Sequence, residues 1–165
     1  VKKYIDCQLI LAGGTVADDP ESAQVLEEVK TRSGHDKDIH ILLLPQDDIA
    51  VNALQRASDV IVQKSLKEGF GLTVAEALWK SKPVVASNVG GIPLQIKHKY
   101  SGLLCHSIDG ASFAIKQFLA NPEYAKKLGQ NGKEHIRNNF LITRHIREYM
   151  LLFLSLYHKE DVVYL

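Results

Sequence analysis

Cysteine is scarce in this chain: 165 residues carry two thiols, Cys7 and Cys105. Both lie in apolar, strand-like runs, which argues against a disulfide-stapled secreted domain. They are expected to be buried thiols in a reducing, cytoplasmic setting. An excess of one charge is also lacking, since 20 Lys and Arg stand against 19 Asp and Glu for a formal net charge of +1. With no long basic stripe, a nucleic-acid or membrane-surface partner is disfavoured. No signal peptide is seen, and no apolar run is long enough to span a bilayer. None of the seven histidines is paired as His-x3-His, so no metal is expected. Asp18-Asp19 invites a metal reading, but Asp-Asp-Pro-Glu ahead of a helix is the pattern of a cap. Internal repeats, low-complexity tracts and linkers are absent, and the length leaves room for one domain, residues 1–165.

What is present is an alternation of apolar runs with helical patterns, the sequence form of a parallel α/β sheet. Gln8 to Leu11 reads as a strand ending at Gly13-Gly14, followed by a helix from Glu21 to Thr31 and a strand from Ile39 to Leu44. Asp47 or Asp48 can cap the helix that runs through Asn52 to Ala57. Val60 to Val62, Val84 to Ala86 and Gly102 to Cys105 read as further strands, with a helix from Leu72 to Lys80 between the first two. Beyond them the chain turns helical: Asp109 caps one helix, Asn121-Pro122 opens a second, and Thr143 begins a third that reaches His158.

The most informative stretch is Lys67 to Leu78. A glycine-rich bend joins strand to helix there, with Glu68 just before the turn and Glu76 on the helix. Gly69 and Gly71 let the backbone approach a ligand, and the first helical N–H groups can face an anion. Neither glutamate is needed to form the helix, so hydroxyl recognition is a sensible role for both. A second glycine turn, Gly90-Gly91, follows the next strand. In a parallel sheet both turns fall at the carboxyl edge, where ligands bind. Gly13-Gly14-Thr15 either borders a nucleotide or is a plain turn. The backbone at Leu44 is either an edge for a base or core packing. Glu68 and Glu76 are not a glycosidase pair, which would need carboxylates about 5–5.5 Å apart across one bond.

The run EGFGLTVAEALWKSKPVVASNVGG resembles the donor-binding signature of the retaining GT-B glycosyltransferases of family 4, which include sucrose, glycogen and trehalose synthases. The elements that carry the likeness are Glu68 and Glu76, Pro83 to Ala86, and Gly90-Gly91. Within that family the likeness is greatest to the trehalose synthase branch, through Val51 to Ile61, Asp18 to Glu21, Ala77 to Lys80 and Gly90 to Ile92.

The resemblance implies a Rossmann-like parallel sheet with helices on both faces, the C-terminal half of a GT-B fold. It also implies transfer of glucose from a nucleoside diphosphate glucose to an acceptor, glucose itself if the trehalose likeness holds. It gives Glu68 as the catalytic candidate at the donor hexose, either stabilising positive charge at the anomeric carbon or orienting the sugar. Gly69, Phe70 and Gly71 would surround the sugar, the amides of Leu72 and Thr73 would take the diphosphate, and Glu76 would hold the ribose hydroxyls. Gly13, Gly14 and Leu44 are further candidate nucleotide contacts. The family's Arg and Lys clamp would precede Val1, so the chain is expected to be truncated on its N-terminal side and inactive alone. The expected partners are a nucleotide sugar and an N-terminal acceptor-binding domain of the same enzyme, with a homodimer left open. In that family a terminal helix crosses back onto the N-terminal domain, so apolar surface on the last helix is expected to be unmatched. The remaining alternatives are another hexosyltransferase of the family and a non-catalytic nucleotide-sugar binding module.

Overall fold

The computed structural model describes residues 1–13, 20–44 and 47–158. Gly14, Thr15, Asp18, Asp19, Pro45 and the tail 159–165 lie outside the described residues. The chain divides into two compact units, residues 1–58 and 59–165.

The first unit holds β1 (Leu9–Gly13), α1 (Pro20–Ser33), β2 (Ile39–Leu43) and α2 (Asp48–Ala57). β1 and β2 pair in parallel with Leu9 opposite Ile39 and Gly13 opposite Leu43. Parallel neighbours need a crossover, and α1 supplies it. Of the two aspartates that could open α2, Asp47 is the cap: its carboxylate accepts the Ala50 N–H at 2.9 Å. At the start of the chain Lys2 pairs with Asp36 and Asp38.

The second unit runs β3 (Ile61–Gln63), α3 (Leu72–Trp79), β4 (Val84–Ser87), α4 (Ile92–Gln95), β5 (Leu103–Cys105), α5 (Ile108–Ala120), α6 (Pro122–Asn139) and α7 (Ile142–Tyr157). Its three strands form a parallel sheet in the order β3-β4-β5. All of β4 is buried, and its side chains alternate between two cores. Val84 and Ala86 pack with Val74, Leu78, Ile92 and Ile136 on one face, and Val85 packs with Leu103, Ala114, Phe118 and Leu128 on the other. A strand's two-residue period sends neighbours to opposite faces, so an unbroken apolar run marks a strand covered by helices on both sides. Phe118 and Leu78, each almost fully enclosed, contribute roughly 1.5–3 kcal/mol apiece by burial. Cys105 is buried, donates to the Ala86 carbonyl, and has its thiol pKa raised by that burial. Cys7 is half-buried, less enclosed than its apolar surroundings suggested.

The elements read from the sequence stand within about two residues of their expected bounds. α4 is an addition: a single turn opened by Ile92-Pro93 was too short to show periodicity. Asp109 is not the cap of α5. Ser107 holds that position, accepting the Gly110 N–H at 3.0 Å, and Asp109 falls in the first turn. Asn121 occupies the cap position of α6 with Pro122 next, but its side-chain amide donates to Gln117 of the preceding helix. α7 buries no residue, and Ile146, Tyr149, Phe153 and Leu154 remain exposed along it. Among the described residues no helix is long and apolar enough to cross a membrane.

Candidate functional site

The loop between β3 and α3 carries the site residues expected from the sequence. Glu68 is half-buried there and held by three donors. Gln63 Nε2 reaches one carboxylate oxygen at 3.3 Å and Ser65 Oγ reaches the same oxygen at 3.2 Å. The Gly69 N–H donates to the other oxygen at 3.0 Å. Gln63 and Ser65 are themselves joined at 2.9 Å. Donors on both oxygens fix the plane of the carboxylate. The sequence reading missed Gln63 and Ser65. The available signal was a polar residue closing an apolar strand.

The second glycine turn serves the first. Gly91 N–H donates to the Gly69 carbonyl at 2.7 Å. A Cβ on Gly90 would lie 1.7 Å from the Glu68 carbonyl oxygen, and one on Gly91 2.8 Å from that of Gly69. Gly90-Gly91 therefore brings backbone against backbone within the protein, where the sequence suggested only a ligand-facing edge. From α4, the buried Gln95 donates its amide to the Phe70 carbonyl, while its Oε1 has no partner among the described residues. Gly69 has open space where a Cβ would point, whereas Gly71 is constrained by its left-handed φ of 84°. Of the two, Gly69 leaves room for a ligand.

Gly71 is the N-cap of α3 and offers no side-chain cap, and no acidic residue sits in the first turn. Val74 and Ala75 bond back to the Gly71 carbonyl. The amides of Leu72 and Thr73 precede any intrahelical acceptor and carry the positive end of the helix dipole. Leu72, Thr73 and Glu76 are exposed while Val74, Ala77 and Leu78 are buried. Spacings of three and four residues place Glu76 on the same helix face as Thr73 and Leu72. One exposed stripe thus combines free amides at its start with a carboxylate about one turn, or 5–6 Å, further on.

In the first unit, Gly13 and Leu44 meet: the Leu44 N–H donates to the Gly13 carbonyl at 2.8 Å, at the carboxyl ends of β1 and β2. Gly14 lies outside the described residues. Among the described residues no group of three or more His, Cys, Asp or Glu side chains could hold a metal ion.

This geometry, a parallel α/β sheet whose strand-to-helix turn offers free amides and two carboxylates, agrees with the comparisons to known proteins. The family model described as glycosyl transferases group 1 matches residues 1–135, and the chain belongs to that family. Its α/β fold is that of the GT-B glycosyltransferases. Over 153 residues it is 45% identical to a trehalose synthase of Rubrobacter xylanophilus, covering 92% of this chain and 36% of that protein. The chain thus spans little more than a third of that relative's length. A sucrose-phosphate synthase structure from Thermosynechococcus elongatus superposes with a TM-score of 0.78 at 27% identity, over 93% of this chain and 39% of that one. Anabaena Alr3699/HepE in complex with UDP-glucose shares the fold, with a TM-score of 0.74 at 22% identity, over 90% of this chain and 41% of that one.

Proposed function

We propose that this chain is the sugar-nucleotide donor domain of a retaining hexosyltransferase that moves glucose from a nucleoside diphosphate glucose to glucose, giving trehalose. The observation that carries the reading is the placement of a fixed Glu68 carboxylate beside a helix start whose exposed face bears Leu72, Thr73 and Glu76. Departure of a nucleoside diphosphate builds negative charge, and oriented amides at a helix start stabilise it at little reorganisation cost. On this reading the Leu72 and Thr73 amides take the diphosphate and Glu76 accepts hydrogen bonds from the ribose hydroxyls. Glu68 faces the hexose, with Gly69 leaving the backbone open to it. The amides make a metal dispensable.

The trehalose likeness supports the acceptor, at 45% identity. The similarity at 27% identity to a sucrose-phosphate synthase supports a second reading, the same donor chemistry with another acceptor. Calorimetric titration with UDP, other nucleoside diphosphates and their glucose esters tests the reading. Glu76→Ala is expected to weaken binding of the bare diphosphate by about 1.5–3 kcal/mol, the scale of a hydrogen bond to a charged acceptor. Glu68→Gln is expected to keep diphosphate binding and lose affinity for the sugar ester. Equal losses for ester and bare diphosphate in Glu68→Gln would move Glu68 to the nucleotide, and a chelator that abolishes binding would overturn the metal-free site.

A further inference from the structure

The Glu68–Gly71 loop is held on its carbonyl side by Gln95 and Gly91, but its Phe70 side chain is 41% exposed. That ring packs on Phe140, at the end of α6, with centroids 5.8 Å apart and planes tilted by 53°. A groove of about 310 Å³ opens beside the pair, toward the start of α7. Phe140 in turn meets His135 edge-on at 5.7 Å.

The His135 ring is fixed at both nitrogens. Nε2 lies 2.9 Å from the Leu94 carbonyl, which can only accept, so Nε2 carries the proton. Nδ1 then accepts from the Asn139 amide at 3.0 Å, while the same amide nitrogen reaches the His135 carbonyl at 2.8 Å. Asn139 Oδ1 accepts from Arg144, which also binds Glu148 at 2.6 Å. Leu94 precedes Gln95 on α4, so His135 anchors the helix that holds the Phe70 carbonyl as well as the ring that holds the Phe70 side chain.

We propose that His135 and Phe140 are positioning residues for the Glu68–Gly71 loop, acting through Phe70 and α4. The proposal rests on the reading of that loop as the donor site. Its function is to keep the loop in its ligand-ready shape before the sugar nucleotide arrives, because ordering it on binding would weaken affinity.

The test combines amide hydrogen exchange on the ligand-free 165-residue chain with titration of UDP and UDP-glucose. Phe140→Leu is expected to speed exchange at the bonded amides of Gly69, Val74 and Gly91, which close the loop, while β4 amides stay protected, and to weaken UDP-glucose about three- to ten-fold, the scale of one aromatic pair. Phe140→Tyr, which keeps a ring, is expected to restore both. Should Phe140→Leu fail to fold, His135→Gln is expected to give the same local rise in exchange. Unchanged exchange at Gly69, Val74 and Gly91, or a uniform rise across the unit that Phe140→Tyr does not reverse, overturns the proposal. Local exchange that rises in a chain whose wild type binds neither UDP nor UDP-glucose supports the brace and overturns the donor-site reading.

Discussion

Gly90 shows how one missing side chain can set the shape of a site. Its φ of 55° and the 1.7 Å separation between a would-be Cβ and the Glu68 carbonyl leave room for hydrogen alone. Gly69 faces open space. Gly90→Ala is therefore expected to lower stability by about 1–3 kcal/mol, through overpacking and a strained backbone together. Gly69→Ala is expected to stay within about 0.5 kcal/mol. Urea unfolding of both variants checks this, and matching midpoints would mean that the two turns can move apart freely. The glycine pair was legible as a motif. That it acts on Glu68, Gly69 and Phe70 was not, because the contact joins two segments far apart in sequence.

Among the elements, helix starts divide into those set by local chemistry and those set by neighbours. An aspartate cap for α2 followed from acidic residues ahead of an amphipathic run, and the structure chose Asp47 over Asp48. For α5 the same logic chose Asp109, whereas Ser107 takes the Gly110 N–H and starts the helix two residues earlier. Ser107→Ala is expected to cost about 1 kcal/mol, while Asp109→Ala removes only a charge in the first turn, about 0.3–0.5 kcal/mol. Thermal unfolding of the two variants decides between them, and a larger loss in Asp109→Ala would return the cap to Asp109. The buried stripe of α6, Ala125, Leu128, Gly129, Gly132 and Ile136, follows helical spacing and was readable. The exposed apolar residues of α7 follow the same spacing, but periodicity names an apolar face without naming its cover.

For the whole molecule, the proposed function implies a division of labour. The chain matches 36% of the length of the trehalose synthase it resembles, and the groups that hold the acceptor are proposed to lie in the part it does not match. The 165-residue chain is therefore expected to bind a nucleoside diphosphate glucose and to form no disaccharide with glucose. Incubation with both sugars followed by chromatography of the products checks this, and robust trehalose formation would sink the division. The sequence by itself determined the parallel α/β class, the positions of the strands and of the helices other than α4, and the candidates from Glu68 to Glu76. Each is written in short-range periodicity, turn chemistry and motif spacing. Only the tertiary structure decided that Gln63 and Ser65 orient Glu68, that Gly90 and Gly91 seat the loop, and that Gln95, His135 and Phe140 converge on Phe70. The glycine, Gln95, His135 and Phe140 contacts join segments far apart in sequence, where distance is set by packing of the core, and the Gln63 and Ser65 contacts, though local, depend on a loop path that periodicity does not specify.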